Sequence, residues 1–482
     1  MTRSPIFSVL VILALCFLAM IYGSGAVYMG WWPSKLVGDA KRAAEAILSV
    51  QDEEFRKNWP TSMEFIETSG RNKLSTINHA PVLTENNELI FVDGGTQQLR
   101  QYCPDNGCVA WLMDRSGNIK HVWHIGPSLI WEGAEHIAGF SRAENIYSVG
   151  AHPYSNGDLL VAYQGRNTYP YGVGIAKFDK DSNLLWRKDN FAHHWFSVDS
   201  DGRIYVPVFS ALKAPVQIGD SNLQIDCPGG TLYEDAIAIL DPDGHEINRI
   251  SILDSLARSD LKGIVFQAIH SDRPLPLNYT ECDPTHLNDV QVISAAAAAN
   301  SPYLSPGDLL ISLRSTNSVA VINQESGEVT WSSSGTTVLQ HSPRYMGDNT
   351  VLIFDNLGGA ATQGGSRLIR LDMSSGKTEV VAPIPGDQNA GDFLSATAGH
   401  IDVSDDNSRA LVSLTRQGRT LEIDLANGAV LWEFLNIHDV SDVIKPDKEG
   451  EKVAARFATQ TVRYFNNADF EFNEGGASPR NQ

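Results

Sequence analysis

Basic residues are the scarce charge: Lys and Arg number 37 against 57 Asp and Glu, a formal net charge of -20 over 482 residues. That deficit excludes a nucleic-acid backbone as partner, because phosphate binding relies on a basic surface that releases counterions. An anionic small substrate would need its own local positive pocket. The chain has little cysteine, five residues in all. Several common catalytic signatures are missing. There is no Gly-x-Ser-x-Gly elbow and no His-Glu-x-x-His helix. Gly376-Lys377-Thr378 looks like the end of a phosphate-binding loop, but Leu371 stands where its first glycine belongs. Long apolar runs are also lacking, with one exception: Ile6 to Trp32 holds no charged residue.

That run is long enough for a spanning helix of about 20 residues, and it ends in Trp31-Trp32, a pair suited to a membrane interface. Residues 1–33 are therefore expected to be a signal anchor or signal peptide, with the rest of the chain in a periplasmic or other extracytoplasmic space. Residues 34–74 read as a helical stalk, since Leu36, Ala40, Ala43, Ala44, Ile47 and Leu48 recur at helical spacing among charged residues. Four cysteines lie beyond the apolar run. An even number fits an oxidising compartment and allows three pairings, of which Cys103 with Cys108 and Cys227 with Cys282 is the simplest.

From about residue 75 one pattern keeps returning. An apolar strand leads to an Asp or Asn turn and then to a second strand, often ending in Trp. The copies begin at Val109, Ile175, Ala236, Val319, Leu368 and Leu421. Alternation gives the strands, and Asp, Asn, Ser and Gly supply the turns. A polar turn and short strand precede several copies, as in Ser155 to Val161, Ser200 to Val206 and Ser305 to Ile311, so each unit holds about four strands. Six such units predict an all-β fold, a six-bladed β-propeller over residues 75–465 followed by a tail at 466–482. A single sheet of so many strands would curl or leave long edges unpaired. The longest gap, Asp241 to Asn323, contains Pro274, Pro276 and Pro284 and reads as a loop insertion.

Histidine also keeps register. Counting back eight positions from the turn residue before a unit's first strand gives His194, His341, His400 and His79, while His286 begins a matching run in the unit with the insertion. In a propeller, equivalent positions on the innermost strands face one axis. Arg314 lies further along its strand, and Asn356 holds the equivalent place in the next unit. An arginine so placed calls for an anionic partner. Imidazoles with a guanidinium suit transfer of a sulfuryl or phosphoryl group through a histidine adduct. They would equally suit a metal-dependent enzyme, and a membrane-tethered scaffold without catalysis is a third reading.

His193-His194 before a strand, His286-x-Asn288, Ser312-x-Arg314, and Gln340-His341 with Phe354-Asp355-Asn356 together resemble the arylsulfate sulfotransferases. The likeness covers most of residues 75–465. It implies a six-bladed propeller that moves a sulfuryl group from an aryl sulfate donor to a phenolic acceptor without phosphoadenosine phosphosulfate, and it implies no cofactor. By that resemblance His341 is the nucleophile, while His286, Asn288 and Arg314 grip the sulfate oxygens. His194 exchanges the phenolic proton, with His193 beside it. Asn356 and His400 join the candidate binding set through their register; His400 is not one of the family's usual catalytic positions.

Overall fold

The computed structural model describes residues 5–29, 65–69, 75–79, 88–94, 110–124, 130–137, 146–165, 170–220, 224–227, 230–270, 282–299, 301–439 and 454–466. The chain divides into two units, Met1–Trp59 and Pro60–Gln482. The first contains a helix, Pro5–Met29. Its side chains are described over residues 11–23, where the large apolar groups are exposed. Among the described residues, no helix is long and apolar enough to cross a membrane. Most of the expected stalk (34–64), Cys103, Cys108 and the tail beyond 466 lie outside the described residues. Within the expected stalk, however, Phe65–Ser69 is a strand that pairs with Ala454–Phe457.

The second unit is an all-β propeller of six blades. Blade 2 shows the plan: four antiparallel strands, Ile146–Pro153, Leu159–Gly165, Gly172–Phe178 and Leu184–Lys188, running outward in chain order. Blade 3 begins at Ser197, blade 4 at Leu287 and blade 5 at His341. Blade 6 begins at His400 and gains a fifth, outer strand, Ser75–Asn78. Blade 1 is composite. Its innermost strand is Thr461–Asn466, from the far end of the chain, paired with Glu88–Asp93. The ring is sealed where blade 6 meets blade 1 by Arg115, which is buried and bonds Glu422 and Glu88, and by Arg409, which bonds the same two carboxylates.

All six hairpins expected from sequence are the outer strand pairs of the blades. Their turns close by one chemistry. A side-chain oxygen of Asp114, Asp179, Asp241, Asn323, Asp372 or Asp424 accepts the amide two residues on. This local bond competes with continued strand and so ends it. Gly376 and Lys377 sit in one of these turns, which disposes of the phosphate-loop likeness. The recurrent tryptophans join neighbouring blades. Trp123 Nε1 donates to the Gly157 carbonyl of blade 2, Trp331 to Met373 of blade 5 and Trp432 to Arg115 of blade 1. Each ring thus buries apolar area while satisfying its one donor. The long gap holds the helices Ile252–Ala257 and Lys262–His270, an insertion as expected. Cys227 and Cys282 form a disulfide with Cα atoms 5.8 Å apart, and Cys282 is paired by backbone to Thr231 and Tyr233 of blade 3.

Candidate active site

The first strands of adjoining blades meet around the axis. Three of them break register at corresponding places, between Ser148 and Gly150, Leu287 and Asp289, and His341 and Arg344. Such bulges re-aim side chains. Beside them, His194, His286 and Ser342 hold left-handed backbone conformations with φ of 55°, 52° and 53°. Non-glycine residues pay for that conformation, and clusters of it mark sites where geometry is imposed by the surroundings.

These distortions gather four imidazoles. His193 Nδ1 lies 2.9 Å from His194 Nδ1. The rings of His194 and His286 are 5.1 Å apart. His341 is reached through electrostatics: it and Arg314 both act on His194, and Arg314 and His286 both act on His341. The Arg314 amide donates to the His286 carbonyl, so blade 4 holds these two residues as one piece. Burial is the first cause that keeps His341 and His193 neutral, each pushed down to about 3, with Arg314 adding to the effect on His341. Burial, and then His193, His286, His341 and Arg314, hold His194 well below the ordinary imidazole range. All three are therefore neutral at physiological pH.

His341 has a defined tautomer. The Asn356 amide nitrogen donates to the Ser395 and Ala398 carbonyls at 2.7 and 2.6 Å, which fixes the amide's orientation. Its Oδ1 must then accept from His341 Nδ1 at 2.7 Å. The proton sits on Nδ1 and the lone pair on Nε2.

Other expected residues have different occupations. Asn288 is fully buried, donates to the Gln340 carbonyl and leaves its Oδ1 without a partner. Asn288 and Asp289, rather than His286, occupy the place in blade 4 that His341 holds in blade 5, as Asp289 opposite Ser312 shows. His286 reaches the group from the preceding loop. His400 is at the shared register but bonds Arg344, whose guanidinium is held in a fork by Asp289. Trp195 packs against both His341 and His400. His79 is not near the axis: it ends the outer strand of blade 6, because the innermost strand of blade 1 comes from the C-terminal end. The aromatic residues Trp195, Phe196, Tyr345 and Phe354 are buried in blade packing.

Three neighbours were not expected. Tyr171 donates to Asp283 Oδ2 at 3.0 Å and lies 3.2 Å from His286 Nδ1, with its ring against His193 and His194 as well. Asp283 takes His286 Nδ1 at 2.5 Å and the His286 amide at 2.9 Å. Burial works to raise the Asp283 carboxyl, but His286, His193 and Tyr171 outweigh it and leave it below the ordinary range. The third is Asp235, beside His193. The Asp283-x-x-His286 spacing was available in the sequence; nothing there tied Tyr171 or Asp235 to the histidines. Among the described residues, no three His, Cys, Asp or Glu groups are arranged to hold a metal ion.

No curated protein matches the chain significantly. Among solved structures it is similar to a protein of unknown function from Bacteroides caccae, at 10% identity over 78% of this chain and 98% of that one, TM-score 0.43. A putative 6-phosphogluconolactonase from Bacteroides uniformis gives 8% identity over 79% and 100%, TM-score 0.37. A virginiamycin B lyase from Staphylococcus aureus gives 11% over 59% and 69%, TM-score 0.32. The family described as arylsulfotransferase (ASST) matches residues 152–437, more than half of the chain. That span includes every one of the axial histidines, and the chain belongs to the arylsulfotransferase family.

Proposed function

We propose that the protein transfers a sulfuryl group from an aryl sulfate ester to a phenolic acceptor through a sulfated His341. The observation that carries this reading is the buried, neutral His341 whose Nδ1 is committed to Asn356, leaving Nε2 as a nucleophile. A phenolate is already a good leaving group, so catalysis here means positioning the sulfur, neutralising the sulfonate oxygens and protonating the departing oxygen. Arg314 and His286 supply the positive and donor groups, and Asn288 lines the same wall. His194 gives its proton to the leaving phenolate and recovers it from the acceptor. His193, Asn356 and His400 support this arrangement through the contacts described above. We also propose that the Pro5–Met29 helix tethers the enzyme to a membrane with its propeller outside the cytoplasm, a placement that the Cys227–Cys282 bridge favours.

The test is intact-protein mass spectrometry after brief exposure to nitrophenyl sulfate, followed by peptide mapping and a turnover assay with added phenol. His341→Asn is expected to form no adduct and to transfer nothing, because a nucleophile has no substitute. His194→Asn is expected to be slower by about 10²–10⁴-fold in turnover yet still sulfated by this activated donor. An adduct on another residue, or full turnover by His341→Asn, would overturn the assignment.

A further inference from the structure

Next to the histidine group, two buried polar atoms lie close together, and neither makes a well-formed hydrogen bond; the His193 ring also comes near the Val208 carbonyl. Asp235 Oδ1 and His193 Nε2 lie 3.4 Å apart, and both side chains are fully buried. Buried polar atoms are nearly always paired, so an orphaned couple needs a reason. The second carboxylate oxygen is already committed: Oδ2 accepts from Thr285 Oγ1 and from the Leu287 amide at 2.8 Å. A proton carried by Asp235 therefore sits on Oδ1 and points at His193. On its other side, His193 Nδ1 meets His194 Nδ1 at 2.9 Å, where one ring must donate and the other accept. The three side chains form a single file from the blade interior to the axis.

This file meets a difficulty in the transfer reaction. His194 must surrender a proton in the first half and regain it in the second, yet its burial and its charged neighbours strongly disfavour a second proton on its ring. We propose, on the basis of the sulfuryl-transfer reading, that Asp235 is the proton store of the reaction and acts through His193 and His194. In the resting enzyme the Asp235 carboxyl is protonated and donates toward His193 Nε2. His193 Nδ1–H donates to His194 Nδ1, and His194 Nε2–H faces the substrate.

In the first half-reaction the donor's S–O bond breaks as an N–S bond forms to His341 Nε2. The leaving oxygen takes the Nε2 proton of His194, His194 Nδ1 takes the Nδ1 proton of His193, and His193 Nε2 takes the proton of Asp235. The products are a neutral phenol, a sulfated His341 with a positive ring and a negative sulfonate, and an Asp235 carboxylate. The single negative charge of the donor is conserved, now on Asp235. The acceptor phenol drives each transfer backward, and neither relay imidazole is ever charged.

The electrostatics agree with that resting state. Burial, then the Asp283 carboxylate, hold the Asp235 carboxyl far above the ordinary range, while Thr285, the Leu287 amide and His286 work in the other direction. Glu234, its chain neighbour, also feels its charge. The positive ring of sulfated His341 then favours the carboxylate at the moment the relay produces it.

Asp235→Asn tests this. The amide copies the protonated carboxyl in shape, accepting from Thr285 and Leu287 and donating toward His193, but it has no proton to release. Single-turnover adduct formation is measured with nitrophenyl sulfate, whose leaving group needs little protonation, and with phenyl sulfate, whose leaving group needs much. Asp235→Asn is expected to slow both, with a penalty about 10²-fold larger for phenyl sulfate. His193→Phe, which breaks the file at its middle, is expected to show the same selectivity. The infrared difference spectrum of the wild type on sulfation should lose a protonated-carboxyl band that Asp235→Asn lacks. Equal slowing on both donors, no slowing, or a band that persists would overturn the relay and leave sulfuryl transfer standing. A wild-type protein that consumes neither ester would overturn both.

Discussion

At the scale of single residues, Asn356 does more than fill a binding position. Its two amide hydrogens satisfy the Ser395 and Ala398 carbonyls, and only for that reason does its oxygen face His341. Asn356→Ala would strand the buried Ser395 carbonyl and the half-buried Ala398 carbonyl and release the His341 tautomer. A cost of about 2–3 kcal/mol in stability is expected from the stranded groups. The sulfation rate should fall by about 10²-fold, the scale of a misdirected proton. Thermal unfolding and timed adduct mass spectrometry measure the two effects separately, and a variant that unfolds early but is sulfated at the wild-type rate would show that Asn356 does not set the tautomer. His194, His341 and Asn356 were legible in the sequence because each keeps a fixed distance from a repeated turn. His286 was read only as the start of a matching run, since it reaches the group from the loop before Leu287 while Asn288 and Asp289 take the repeat position at the bulge. Asp235 was hidden for a physical reason: its tie to His193 joins Thr231–Leu240 to a loop over forty residues earlier, and no spacing rule records that contact.

At the scale of elements, the hairpins were readable because their turns are closed locally by Asp or Asn side chains, whereas the pairing of distant strands was not. Phe65–Ser69 finds its partner almost four hundred residues away, and the closing strand Thr461–Asn466 likewise displaced His79 from the axis. The approach of neighbouring innermost strands was equally invisible, and Gly150 shows what it demands. A Cβ built on Gly150 would lie 2.6 Å from the His194 carbonyl oxygen and 3.2 Å from the Trp195 Cα, both backbone atoms that cannot swing aside. Gly150→Ala must push the first strand of blade 2 away from the His194 segment, whose left-handed residue is already held by its surroundings. A loss of about 1–3 kcal/mol, the usual cost of overpacking, is expected together with a reduced kcat. Circular dichroism melts paired with aryl sulfate turnover check this, and an unfolding temperature and kcat both equal to wild type would show that the two segments tolerate separation.

At the scale of the whole molecule, the buried histidines make stability depend on pH in a definite direction. Burial is the first cause that pushes His152, His193, His341 and His438 down to about 3, and it holds His194 and His400 well below the ordinary range, with His121 lowered as well. In the unfolded chain each would titrate near about 6.5. As pH falls below that value the unfolded state takes up protons that the fold refuses, so stability is complete above it and drains away toward 3. Buried acids act in reverse. Burial pushes Asp93 up to about 7 and raises Asp235, Glu234 and Asp402, so the fold holds their protons while the unfolded chain releases them above about pH 4. Seven imidazoles therefore oppose four carboxyls, and the net is proton uptake on unfolding. Each uncompensated group is worth up to about 1.4 kcal/mol per pH unit. Acidification also relieves repulsion within a chain of net charge -20, but those charges are spread over the surface and screened at ordinary salt. Melting temperatures recorded from pH 8 to 4 at 0.15 M salt should thus rise slightly toward neutrality, where only Asp93 and Asp235 take up protons in the fold, and fall steadily below about 6.5. A melting temperature that held or rose on acidification below about pH 6.5 would mean that water reaches these imidazoles, and with it the neutral His341 on which the proposed chemistry depends would be lost.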